Sequence, residues 1–157
     1  MLREMLKRHE GLSLKVYRCP AGHNTIGYGW NLDAHALPYD IAAYLKMRGE
    51  IDEWMAEWLL TISMASAEQD CREIYPGFDS FAERRKAALT DFLFNCGARV
   101  ALTFREMRAA IFREDWERAA EELIDSKYWT QLGGDTLGTD DGRLERPEEI
   151  AQMLREG

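Results

Sequence analysis

Ile51, Trp54, Met55, Trp58, Leu59, Ile62 and Ala65 recur at helical spacing, and no glycine or proline interrupts the chain until Tyr75–Gly77. Such a stripe predicts one helix of about six turns. A helix of that length divides a chain of 157 residues into what comes before it and what comes after. The whole is long enough for one compact domain with a proper core, or for two small lobes sharing a helix.

Before the stripe, Leu2, Met5, Leu6 and His9 fall on one helical face and Gly11 follows as a stop, so residues 2–10 read as a short helix. Leu12, Leu14, Val16 and Arg18 then alternate with Ser13, Lys15 and Tyr17, the period of a strand. The stretch PAGHN supplies turn residues, and TIGYGWNL reads as a returning strand in which Gly27 and Gly29 permit close backbone approach. The expectation is a β-hairpin, with helix resuming from about Pro38. After the stripe, Ser80-x-x-Glu83 and Thr103-x-x-Glu106 fit capping boxes opening two helices. Trp116, Ala119, Ala120 and Leu123 mark another helix, and Pro147 fits the first turn of a last one. The predicted class is α+β, mainly helical: a single domain over 1–157 with a short helix at 1–10, a small β-containing lobe over about 12–50, a connecting helix over about 51–74 and a helical lobe over about 75–157.

Lys and Arg number 20 against 28 Asp and Glu, a formal net charge of −8. That argues against nucleic acid as a partner, and it would also repel an anionic polymer at long range. No apolar run approaches the roughly 20 residues needed to span a bilayer. The opening MLREMLKRHEGL lacks the apolar core of a secretory signal, so the chain is expected in the cytoplasm where it is made. Three widely spaced cysteines, Cys19, Cys71 and Cys96, suggest a reducing compartment or a functional thiol rather than a disulfide framework. His9, His23 and His35 do not combine with them at zinc spacing, so neither metal nor cofactor is expected. Trp54 and Trp58, four residues apart, read as core.

Chemistry gathers at the hairpin. With a five-residue loop over Pro20–Asn24, Cys19 and Thr25 would be cross-strand partners, about 5 Å apart at Cβ. Glu10 ends the preceding helix, so a carboxyl, a thiol and a hydroxyl can converge at one edge. Glycoside hydrolysis asks for an acid on the leaving oxygen and, in an inverting enzyme, a second group to activate water. Glu10 suits the first task, Cys19 the place of base or electrostatic stabiliser, and Thr25 the orientation of a water molecule.

HEGLSLKVYRCPAGHNTIGYG resembles the signature of the phage lysozyme (endolysin) family: Glu, eight residues, Asp or Cys, five residues, Thr, then Ile-Gly-x-Gly. The likeness resumes at FDSFAERRKAALTDFLFNCG and runs through TFREMRAAIFREDWERAAEELIDSKYW to GRLERPEEI. The resemblance implies hydrolysis of the β-1,4 bond between N-acetylmuramic acid and N-acetylglucosamine in peptidoglycan, with inversion, during phage or prophage lysis. It makes Glu10 the acid, puts Cys19 in place of the commoner Asp, and gives Thr25 the attacking water. Gly29, Asn31 and Phe94 match positions facing the sugar, and Arg143 matches an arginine that pairs with the catalytic glutamate, with Arg146 close enough to compete. Trp30 stands where a smaller or polar residue is usual, to stack on a sugar or restrict the cleft. A monomer reaching the wall through a holin-type pore is implied. Two rivals stay open: a silent lysozyme fold that only binds the wall, and a transglycosylase in which the sugar's own hydroxyl attacks.

Overall fold

The computed structural model describes residues 1–127 and 146–157. The fold is α+β and mostly helical, with one small antiparallel sheet. Its contacts form two compact units, Arg3–Ser66 with Met1, and Ala67–Gly157 with Leu2.

In the first unit, α1 (Leu2–Glu10) buries Met5 and Leu6 and ends where the Gly11 N–H closes on the Lys7 carbonyl. β1 (Ser13–Arg18), β2 (Asn24–Gly27) and β3 (Trp30–Asn31) follow, in the order β1-β2-β3. The returning segment is thus two strands rather than one, because the chain turns at Tyr28–Gly29 and pairs Thr25 with Asn31 and Ile26 with Trp30. The hairpin register also differs from the expectation. Tyr17 pairs with Thr25 and Arg18 with Asn24, after an irregularity between Ser13 and Tyr17. Cys19 therefore lies opposite His23, to whose carbonyl its N–H donates at 3.0 Å. Past the irregularity Tyr17 is half-buried and Val16 exposed, so strict alternation through Val16 and Arg18 does not describe an inward face.

α2 (Tyr39–Arg48) and the start of α3 (Glu53–Ile74) complete this unit. Its core is Ile26, Trp30, Ile41, Ile51, Ala56 and Leu59, with Leu14, Tyr28 and Met55 packed against it. Trp30 accordingly faces the core, 8% exposed, with its indole N–H on the His35 carbonyl at 3.2 Å. It has no free face to offer a sugar. Trp54 and Trp58 are corrected in the opposite sense: they are 68% and 49% exposed and stack on each other, centroids 6.0 Å apart and planes 13° apart. Glu57, on the same helix, accepts from Arg3 at 2.9 Å and pairs with Lys7, which joins α1 to α3.

In the second unit, a 3₁₀ turn (Phe78–Ser80) precedes α4 (Glu83–Ala101), α5 (Arg105–Phe112), α6 (Trp116–Ile124) and α7 (Arg146–Glu156). Helical geometry in α4 is interrupted at Gly97. Neither capping box forms. α4 and α5 start from Ala82 and Phe104 without a side-chain cap, because the Ser80 hydroxyl donates back to the Gly77 carbonyl at 2.7 Å and that of Thr103 to Val100 at 2.7 Å. α6 is capped by Asp115, whose Oδ1 accepts the Arg118 N–H at 3.1 Å. Leu89, Phe92, Met107, Ile111, Leu123 and Ile150 are fully buried here. Asp91 is 0% exposed, and Arg146 Nε donates to its Oδ1 at 2.6 Å.

Candidate active site

The end of α1 and the hairpin bring Glu10, Tyr17, Cys19, Thr25 and Gly29 into one neighbourhood of the first unit. Glu10, the last residue of α1, lays its side chain over Gly29. A methyl built on Gly29 would stand 2.6 Å from Glu10 Oε2, 3.0 Å from Cδ and 3.4 Å from Cγ. Tyr17 registers the same convergence electrostatically. Burial pushes its phenol above the ordinary range, and the Glu10 carboxylate and Cys19 thiolate push it further. Sequence reasoning passed over Tyr17. Its signal was available, since a side chain two residues before Cys19 on a strand shares its face.

The Cys19 thiol sits at the mouth of the hairpin loop, closed by its own N–H on His23 and by the Gly22 N–H on the Cys19 carbonyl at 2.8 Å. Burial pushes the thiol up. The His23 amide, the Thr25 hydroxyl and the Ala21 and Gly22 amides outweigh that by hydrogen-bonding to the anion, so the thiol lies below its ordinary range. Thr25 is 4% exposed, and its hydroxyl also reaches the His23 carbonyl at 3.1 Å. One hydroxyl proton serves both acceptors, so its direction follows the charge on sulfur. Cys71 and Cys96 differ entirely: burial pushes each up to about 12.

The loop is braced from behind. Asp33 accepts the Asn24 N–H at 2.9 Å and its side-chain amide at 3.0 Å, which holds the carboxyl below the usual range. Asn31 accepts the N–H groups of Asp33 at 2.9 Å and Ala34 at 3.1 Å. Its carbonyl oxygen is therefore used in building the turn that carries Asp33. Phe94 belongs to α4, in the second unit, where it is half-buried. Arg143 lies outside the described residues, and Arg146 is engaged by Asp91. Among the described residues no three His, Cys, Asp or Glu side chains are grouped to hold a metal, and no helix is long and apolar enough to cross a membrane.

The phage lysozyme family model matches residues 7–146, which include all five residues of this neighbourhood. The chain belongs to the phage lysozyme family. Its relatives include the "Pre-baseplate central spike protein Gp5" of Enterobacteria phage T4, 30% identical over 83% of this chain but only 25% of that protein, so the chain spans a quarter of the spike protein's length. Two Dictyostelium discoideum proteins, "Probable T4-type lysozyme 1" and "Probable T4-type lysozyme 2", are 27% and 29% identical over 81% and 83% of this chain and 84% and 85% of theirs. Phage lysozyme membership gives the chain a lysozyme-type, glycoside hydrolase function. The family signature expected from the sequence runs from α1 through the hairpin; its threonine hydrogen-bonds its cysteine, and Tyr17 feels the charge of both its glutamate and its cysteine.

Proposed function

We propose that the protein is a muramidase that cleaves the β-1,4 bond between N-acetylmuramic acid and N-acetylglucosamine in bacterial peptidoglycan, with inversion, as part of phage or prophage lysis. Glu10 protonates the leaving oxygen, Cys19 acts as base or anionic stabiliser, and Thr25 orients the attacking water. The observation that carries this reading is the surroundings of Cys19. Three backbone amides and a hydroxyl hydrogen-bond the sulfur and hold the thiol below its ordinary range, so at a given pH more of it is anionic than of a free cysteine. The test is reducing-end release from purified peptidoglycan under reducing conditions, with the products identified by mass spectrometry. Reducing N-acetylmuramic acid ends, α at the anomeric carbon when first formed, are expected. Anhydro-sugar ends would replace hydrolysis by transglycosylation, and binding without release would leave a wall-binding module.

The thiol gives a second measurement. Because Cys71 and Cys96 are pushed up to about 12, iodoacetamide at neutral pH is expected to label Cys19 alone in the folded protein. Activity should fall in proportion to that label. With Cys19 as the working anion, the rate climbs with pH through the thiol's titration, and Cys19→Ser flattens that limb. Full activity at stoichiometric labelling would remove Cys19 from the mechanism.

A further inference from the structure

The geometry points to Gly29 as a positioning residue for the Glu10 carboxyl, an inference that rests on reading Glu10 as the acid. Two fixed elements meet at this contact. Glu10 ends a helix anchored by buried Met5 and Leu6, and Gly29 precedes Trp30, which pairs with Ile26 and lies in the core. The carboxyl end of Glu10 lies across the face of Gly29 where a side chain would begin, with Oε2, Cδ and Cγ all within 3.4 Å of that point. The backbone of Gly29 cannot easily withdraw, so an added methyl is accommodated by the carboxyl moving away. Glycine thus serves here as the seat that sets where the acid stands.

Gly27 supplies an internal comparison. Both glycines have positive φ, +66° at Gly27 and +81° at Gly29, so alanine strains the backbone at either. A methyl on Gly27, however, would meet only Ala56 at 3.6 Å and Ile51 at 3.8 Å, ordinary packing distances. The two substitutions share the strain and differ in the contact with Glu10.

The experiment compares Gly29→Ala, Gly27→Ala and Glu10→Gln with the wild type on soluble, uncross-linked glycan strands, reading kcat and KM separately below the melting temperature of each. An ångström's displacement of a catalytic group costs on the order of a hundredfold. Gly29→Ala is therefore expected to lose about ten- to a hundredfold in kcat with KM little changed, the pattern of an interaction made in the transition state. Gly27→Ala should lose Tm to backbone strain alone, less than Gly29→Ala loses, and keep kcat within about threefold of wild type, since the acid does not move. Equal kcat losses in the two alanine variants, or none in Gly29→Ala, would overturn the positioning role while leaving Glu10 as the acid. Wild-type activity in Glu10→Gln would instead overturn the acid itself, and the positioning role with it.

A readout independent of turnover is the double-mutant cycle with Glu10→Ala. Removing the carboxyl removes the collision, so the Tm loss from Gly29→Ala should shrink in that background to the loss seen in Gly27→Ala. Should Gly29→Ala alone fail to fold, recovery of folding in Glu10→Ala/Gly29→Ala supports the contact. Failure of both would assign the effect to backbone strain and overturn the inference.

Discussion

Glu10→Gln is expected to lower kcat/KM at least about a hundredfold, as loss of a general acid does, with no loss of Tm. Glutamine keeps the length and shape of the side chain, so its seat on Gly29 is preserved, but an amide cannot deliver a proton to a departing sugar oxygen. The expected loss corresponds to about 2.7 kcal/mol or more of transition-state stabilisation. Lys7, Arg8 and His9 in the last turn of α1 have the sign that its C-terminal carbonyls favour, whereas Glu10 has the wrong one, an unfavourable contribution of roughly 0.3–1 kcal/mol at low salt that glutamine removes. Reducing-end release and a thermal melt on the same preparation check both halves. Retained activity would remove Glu10 as the acid, and a large fall in Tm would make it structural.

Glu10, Cys19 and Thr25 stood out in the sequence through the family signature, and a short helix, a glycine stop and a hairpin made their convergence possible without requiring it. Their register was not legible. The irregularity between Ser13 and Tyr17 leaves no compositional mark, yet it makes Tyr17 rather than Cys19 the partner of Thr25. The tryptophans illustrate another limit. The stripe from Trp54 to Leu59 is wide enough to contain two rows, and periodicity cannot say which edge of a wide stripe faces inward. Ala56, Leu59 and Leu60 are buried, while Trp54, Trp58 and Ile62 carry the exposed edge. The capping boxes fail for a local reason. Serine and threonine hydroxyls can donate backwards to a turn carbonyl as readily as they accept from a helix N–H, and Ser80 and Thr103 do the former. Trp30 belongs to the same class. Its identity suggested a sugar platform or a restriction of the cleft, but β3 is a separate strand paired to Ile26, and the ring lies in the core.

The largest stability effect is expected at Asp91. The carboxylate lies fully inside the second unit, and Arg146, at the start of α7, brings its guanidinium to Oδ1 and, at 3.4 Å, to the Asp91 carbonyl. The side chain of Arg146 is itself only 12% exposed, so water screens this pair little. Removing one charge takes this partner from the other in a medium that solvates it poorly, and losses on breaking a buried pair run to about 3–5 kcal/mol. For a chain of this size that is a fall in Tm of roughly 10 °C or more. Arg146→Met and Asp91→Asn should each show it in thermal or urea melts. Arg146→Met combined with Asp91→Leu should recover much of the loss, because a buried ion pair replaced by apolar groups of similar volume is often close to neutral. The double variant is therefore the informative member. Recovery would mean that the pair chiefly fixes α7 against α4 and adds little net stability. A double variant as unstable as the singles would mean that other groups around Asp91 depend on its charge.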